Sequence, residues 1–137
     1  MLRLFAAFAL TLLTAAPLSA QRAAPMDSLE LGRKATDWFY HGQTDSLWYH
    51  QADTAGLGSR AEYARELQLR LQVLIRRAGF EDSLMTEEFV KRNSRTQYWR
   101  TARFTMNEDP IMIRWAIVDG RIAGMGMNPA RLAPQRE

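Results

Sequence analysis

The stretch Ile111–Pro129, IMIRWAIVDGRIAGMGMNP, constrains the fold more than any other part of the chain. Asp119-Gly120 between two apolar runs predicts a β-hairpin closed by a two-residue type I′ turn. That turn needs positive φ at both central positions, which Asp and Gly tolerate. A two-residue turn sets the register: Val118 faces Arg121, Ile117 faces Ile122, Trp115 faces Gly124 and Ile113 faces Gly126. Side chains alternate along a strand, so Ile111, Ile113, Trp115, Ile117 and Ile122 share a core face, with the two glycines beside the bulky residues. The opposite face takes Met112, Arg114, Ala116, Val118, Arg121, Ala123, Met125 and Met127. It is more apolar than a solvated face normally is.

The opening residues, MLRLFAAFALTLLTAAPLSA, hold one arginine, an apolar run from Leu4 to about Leu13, and small residues up to Ala20. This is the layout of a secretory signal peptide over 1–20, cleaved after Ala20. The run is shorter than the roughly 20 apolar residues of a spanning helix; an uncleaved anchor is the alternative. The expected compartment is therefore the periplasm or the exterior, with no stable membrane span after cleavage. Cleavage leaves 117 of the 137 residues, enough for one domain, placed at 21–130, with 131–137 as a flexible tail. Losing Arg3 takes the 18 basic residues to 17 against 15 acidic ones, a net of +2. So small an excess gives no support to nucleic-acid binding. The absence of cysteine excludes disulfides, thiolate metal sites and a lipid-anchored lipoprotein.

Between leader and hairpin the chain reads as three helices and then strands. Asp27 or Ser28 can cap a first helix running to about His41, with Gly42 to end it. Leu31, Ala35 and Trp38 form its stripe, and Trp38-Phe39-Tyr40 in succession demands cover over much of its circumference. A short second helix takes Leu47, Trp48 and Tyr49, and Gln51–Gly58 is a loop. Ser59-Arg60-Ala61-Glu62 is a capping box opening a third helix, with Ala64, Leu67, Leu71, Leu74 and Ala78 in helical spacing and Gly79 as the stop. The period then changes to two. Ser83–Val90 is a strand, 92–95 a turn, and Thr96–Met106 a strand with Tyr98, Arg100, Ala102, Phe104 and Met106 on one face. Asn107–Pro110 turns the chain into the hairpin. The expected fold class is α+β: N-terminal helices packed on a curved, cone-like four-strand antiparallel sheet.

This order, with an aromatic first helix and the closing run Val118-Asp119-Gly120-Arg121-Ile122-Ala123-Gly124, resembles the nuclear transport factor 2-like superfamily, the cystatin-like α+β cone. It is similar in particular to small secreted bacterial members. The resemblance covers Ser28 to Pro129, and its specific residues are structural ones. It implies a cone interior in which superfamily isomerases and dehydratases place an Asp or His base, and an outer sheet face that often pairs subunits. Such domains often precede a hydrolase domain; here that role is either absent or acts in trans. None of the catalytic motifs has a residue-by-residue counterpart in this chain.

The residues themselves point to binding rather than catalysis. There is no Gly-x-Ser-x-Gly, and Gly56-Leu57-Gly58-Ser59 reads as loop plus helix cap. His41 and His50 each end a helix, where imidazole can bond free carbonyls, and no clustered metal ligands accompany them. Nothing calls for a cofactor. Arg100 is the odd member of an otherwise apolar strand face. If that face points at the helices, its guanidinium needs an anionic partner, from an Asp or Glu or from a ligand carboxylate, unless it snorkels to water at the open end. Trp38, Tyr98, Arg100 and Trp115 are therefore the candidate pocket for a small anionic or aromatic ligand. Met112, Arg114, Ala116, Arg121, Met125 and Met127 are the candidate interface with a second copy or an envelope protein. The expected function is an exported, non-enzymatic binding module, the alternative a small isomerase- or hydrolase-like enzyme using the cone pocket. An uncompensated acid facing inward beside Arg100 would mark the enzyme. A filled cone and a Met-rich outer face would mark the module.

Overall fold

Helix ends form where the capping residues dictate. In the computed structural model, which describes residues 22–92 and 95–129, the order is α1 (Ser28–Tyr40), α2 (Thr44–Tyr49), α3 (Arg60–Ala78), β1 (Glu81–Arg92), β2 (Arg95–Phe104), β3 (Asn107–Val118) and β4 (Arg121–Pro129). The expected signal segment, the tail over 131–137 and the Asn93-Ser94 part of the turn lie outside the described residues. Asp27 caps α1 by accepting from the backbone N–H groups of Leu29 and Glu30, both at 3.2 Å. Ser59 and Glu62 make the reciprocal box at the start of α3: the Ser59 hydroxyl accepts from Glu62 N at 3.1 Å and the Glu62 carboxylate from Ser59 N at 2.9 Å. Each satisfies a donor that the first helical turn leaves without a partner.

The strands form one open antiparallel sheet in the order β1-β2-β3-β4. Helix α1 packs across β2, β3 and β4, and α3 packs on α2 and α1. The fold is thus α+β, helices on one face of a four-strand meander. Trp115, Tyr98, Phe39, Leu31, Leu47 and Ile113 are its largest fully buried side chains. Helix α1 comes close to β2 at Gly32, where a Cβ would overlap the Tyr98 ring. That glycine is what lets α1 lie directly on β2.

The hairpin turn has the predicted geometry, with φ of 51° at Asp119 and 70° at Gly120. Met26 N donates to Gly120 O at 3.1 Å, so the chain just before α1 straps the turn. Val118 faces Arg121 and Ile117 faces Ile122 as expected, but beyond that the register differs. Ala123 is a bulge, so Ala116 faces Gly124, Trp115 faces Met125, and Ile113 faces Met127. One extra residue turns every later side chain over. Met125 and Met127 therefore pack against the core, and Gly124 and Gly126 lie on the outer face. The bulge adjoins a tie to the α2–α3 loop: Ile122 N donates to His50 O at 2.8 Å and Ala52 N to Ile122 O at 2.7 Å. These bonds fix Ile122 from outside the hairpin, which a turn-based register does not include.

The β2–β3 connection also differs from expectation. It turns at Thr105-Met106, and Asn107–Pro110 already belongs to β3. Pro110 is tolerated because it lies between the Phe104–Asn107 and Ala102–Ile111 pairs, where the ladder is interrupted and no N–H is required. Met106, at the turn, is 68% exposed rather than on the Tyr98 face.

Candidate functional site

The inward faces of β1 and β2 meet α1 in a polar cluster of six side chains: Arg33, Tyr40, Glu81, Glu87, Tyr98 and Arg100. Bulges at Asp82 and Met85 build it. Glu87 stands opposite Arg100 and Glu81 opposite Phe104, so seven residues of β1 span only five of β2. The two carboxylates are thereby drawn to either side of one guanidinium.

Arg100 Nε donates to the two Glu81 oxygens at 3.1 and 3.2 Å, and Nη2 completes the fork on Oε1. Tyr40 OH donates to Glu81 Oε2 at 2.6 Å. Arg100 Nη1 donates to Tyr98 OH at 3.4 Å, and Tyr98 OH donates to Glu87 Oε2 at 2.6 Å. Arg33, at the solvent side, donates from Nε to both Glu87 oxygens at 3.0 and 3.1 Å. The Arg100 and Glu81 side chains are only 19% and 14% exposed. Two guanidinium charges meet two carboxylates, so the cluster is neutral within itself.

The cluster also resists titration near neutral pH. Burial works to raise Glu81, but the hydrogen bonds from Arg100 and Tyr40 outweigh it and hold the carboxyl below its ordinary value. Glu87 is lowered chiefly by its bond from Arg33, against a smaller effect of burial. Burial first, and then the bond to Glu87, pushes Tyr98 up to about 12. Burial and Glu81 raise Tyr40 further. Arg100 is raised by its bonds to Glu81. Between pH 6 and 9 the carboxylates stay charged and the phenols neutral, so these groups hold elements together but do not exchange protons there.

Of the predicted pocket residues, Tyr98 and Arg100 are in this cluster. Trp115 stands beside Tyr98 on β3 and is fully buried, its indole N–H donating to Thr36 Oγ1 at 3.0 Å. Trp38 is elsewhere, its ring 4.5 Å from that of His50. The sequence marks Thr36 only by a hydroxyl close to the aromatic run of α1. Glu81 and Glu87 each stand beside a second acid in the sequence, Asp82 and Glu88, a pattern of surface residues, and the bulges that turn them inward carry no sequence mark.

The candidate interface residues divide between the two faces of the sheet. Met112 is on the outer face but only 2% exposed. Arg114 lies over Gly126, its Nη2 3.1 Å from where a Cβ would be. Ala116 and Arg121 are half-buried on the same face, and Arg121 Nη1 is shut from solvent without a partner among the described residues. Met125 and Met127 point the other way, toward the core.

Two hollows flank α3. A cavity of about 160 Å³ lies between α3 and β4, lined by Gln51, Tyr63, Leu67, Trp115 and Met125, with Asp53, Glu66 and Arg70 also along its wall. Gln51 Nε2 donates to Tyr63 OH at 2.7 Å and to Leu47 O at 3.2 Å. Burial pushes Tyr63 up to about 12. A groove of about 280 Å³ runs past the last turns of α3, between Val73, Leu74 and Ala78 on one side and Ile111 and Met127 on the other. Among the described residues no three His, Asp or Glu side chains are grouped as a metal site, and no helix is long and apolar enough to cross a membrane. No family model matches the chain, and neither a curated protein nor a solved structure matches it.

Proposed function

We propose that this chain is an exported, non-catalytic interaction module of the nuclear transport factor 2-like cone type, and that it meets a protein partner through the apolar side of α3. The observation that carries this reading is the neutral pairing of Arg100 with Glu81 and Glu87. The one charge that would have recruited a ligand into the cone already has its counter-charges, and Trp115, Tyr98 and Phe39 fill the interior around it. What remains available lies outside: Val73, which lines the apolar groove, is 43% exposed, and Leu69, one helical turn before it on α3, is 54% exposed. Apolar side chains at that spacing beside a groove suit a protein surface. The signal-like first 20 residues and the Asp119-Gly120 hairpin motif support export and the cone family.

The test is native mass spectrometry of the chain captured from the envelope of its producing cell. A partner protein at fixed stoichiometry is expected, and the double variant Leu69→Asp/Val73→Asp should lose it while keeping its helix content. Capture unchanged by the double variant contradicts the reading. The alternative, a small isomerase- or hydrolase-like enzyme, draws its support from the cavity between α3 and β4, where Tyr63, Gln51, Asp53 and Glu66 line one wall. A small molecule released from that complex, with a thermal shift lost in Tyr63→Phe, would favour it.

A further inference from the structure

We infer that β1 is an assembly edge: two copies of this chain pair antiparallel along residues 86–92, about a two-fold axis through Phe89, and join their sheets. The proposal stands apart from the α3 surface and does not depend on it.

The two sheet edges differ. β4 is tied at Ile122 to residues 50–52 by backbone bonds, whereas among the described residues β2 is the one strand paired with β1. Helix α1 packs on β2, β3 and β4, and it reaches β1 through the long side chains of Arg33 and Tyr40. The edge therefore stands clear of the helical layer. It is also apolar for an edge: Leu84, Met85 and Phe89 are 46%, 45% and 41% exposed. Proteins usually blunt such an edge with bulges and inward-pointing charges. Here both bulges fall in the first half, and from Thr86 onward the ladder to β2 runs unbroken.

The charges of that straight half identify the occupant. Glu87, Phe89 and Lys91 share the helix-facing side of the sheet, because their partners Arg100, Tyr98 and Thr96 do. A two-fold axis through Phe89 sets the ring against its own copy and each Glu87 against a Lys91. Glu88 then faces Val90 and Thr86 faces Arg92, so like charges never meet. Sliding the register two residues one way sets Glu88 against itself; sliding it the other way brings Glu88 to Arg92 but sets Phe89 against Lys91, so that both the paired rings and the Glu87–Lys91 contact are lost. Opposite charges and paired aromatics are what stabilise neighbouring strands, and an isologous contact requires this self-complementarity. The Phe89 ring already rests 5.5 Å from that of Tyr98, which holds it at the edge.

The chain has no cysteine, so a single introduced thiol reports on the axis directly. Opposed Cα atoms on antiparallel strands are about 4.5–5.5 Å apart, within the range a disulfide spans. Under mild oxidation at tens of micromolar, Phe89→Cys should form a covalent dimer about tenfold faster than Leu84→Cys or Met106→Cys, which are at least as exposed but off the axis. In parallel, sedimentation of the cysteine-free chain should show a dimer. Lys91→Glu sets Glu against Glu twice and should weaken that dimer about tenfold without lowering the melting temperature of the monomer. The inference is overturned if the chain sediments as a monomer at hundreds of micromolar, if the three thiols cross-link at one rate, or if Lys91→Glu dimerises as before.

Discussion

At the scale of single residues, contact geometry overrides propensity. An exposed glycine inside a helix normally costs about 1 kcal/mol relative to alanine. At Gly32 the sign reverses, because a methyl group there has no space beside the Tyr98 ring. Gly32→Ala should destabilise by about 2 kcal/mol, as over-packing does in a core, read as a lower urea midpoint with unchanged slope. Arg100 illustrates how far a sequence carries. Alternation along β2 placed it inward, where it would either meet an anionic partner or snorkel to water; the structure shows the inward position and the partner Glu81. Which partner it takes was not legible, because Glu81 and Glu87 reach it only through the bulges at Asp82 and Met85.

At the scale of elements, helices were legible to within a residue or two because their caps are local chemistry: Asp27 for α1, Ser59 and Glu62 for α3. The strands were legible as strands, and the Asp119-Gly120 turn in its type. The register was legible for only two pairs past the turn, since the tie from Ile122 to residues 50–52 comes from a distant part of the chain. The consequence is measurable at Met125. On an outer face, Met125→Asp would disturb contacts between molecules and leave the fold intact. Packed against the core beside Trp115, it should instead destabilise the monomer by about 2–3 kcal/mol, seen in thermal or urea unfolding at any protein concentration.

At the scale of the whole molecule, the polar cluster ties α1 to β1 and β2 and couples stability to pH at both ends of the scale. The folded carboxyls of Glu81 and Glu87 lie below the ordinary value of 4.5. Their contribution is thus complete above that value and is lost as pH falls through it toward the lower folded values. The phenols of Tyr63 and Tyr98 are raised from 10 to about 12. Their contribution is complete below pH 10 and is lost as pH rises toward 12. Unfolding free energy should therefore be flat from pH 6 to 9 and fall on either side, with Tyr98→Phe softening the alkaline limb. A loss of stability centred near pH 7 would show a proton-exchanging group that this arrangement does not contain.

The central claim is that Arg100 is a partner of Glu81 and Glu87 and is not a receptor for a ligand. A double-mutant cycle on the ligand-free chain, measured by urea unfolding, tests it most directly. Arg100→Met alone should cost about 3 kcal/mol, because it leaves the Glu81 carboxylate partly buried without its cation, whereas Glu87 keeps Arg33. Adding Glu81→Gln should recover more than half of that loss. If Arg100→Met leaves the free chain as stable as before, or more stable, the guanidinium serves something outside the chain and the account is contradicted.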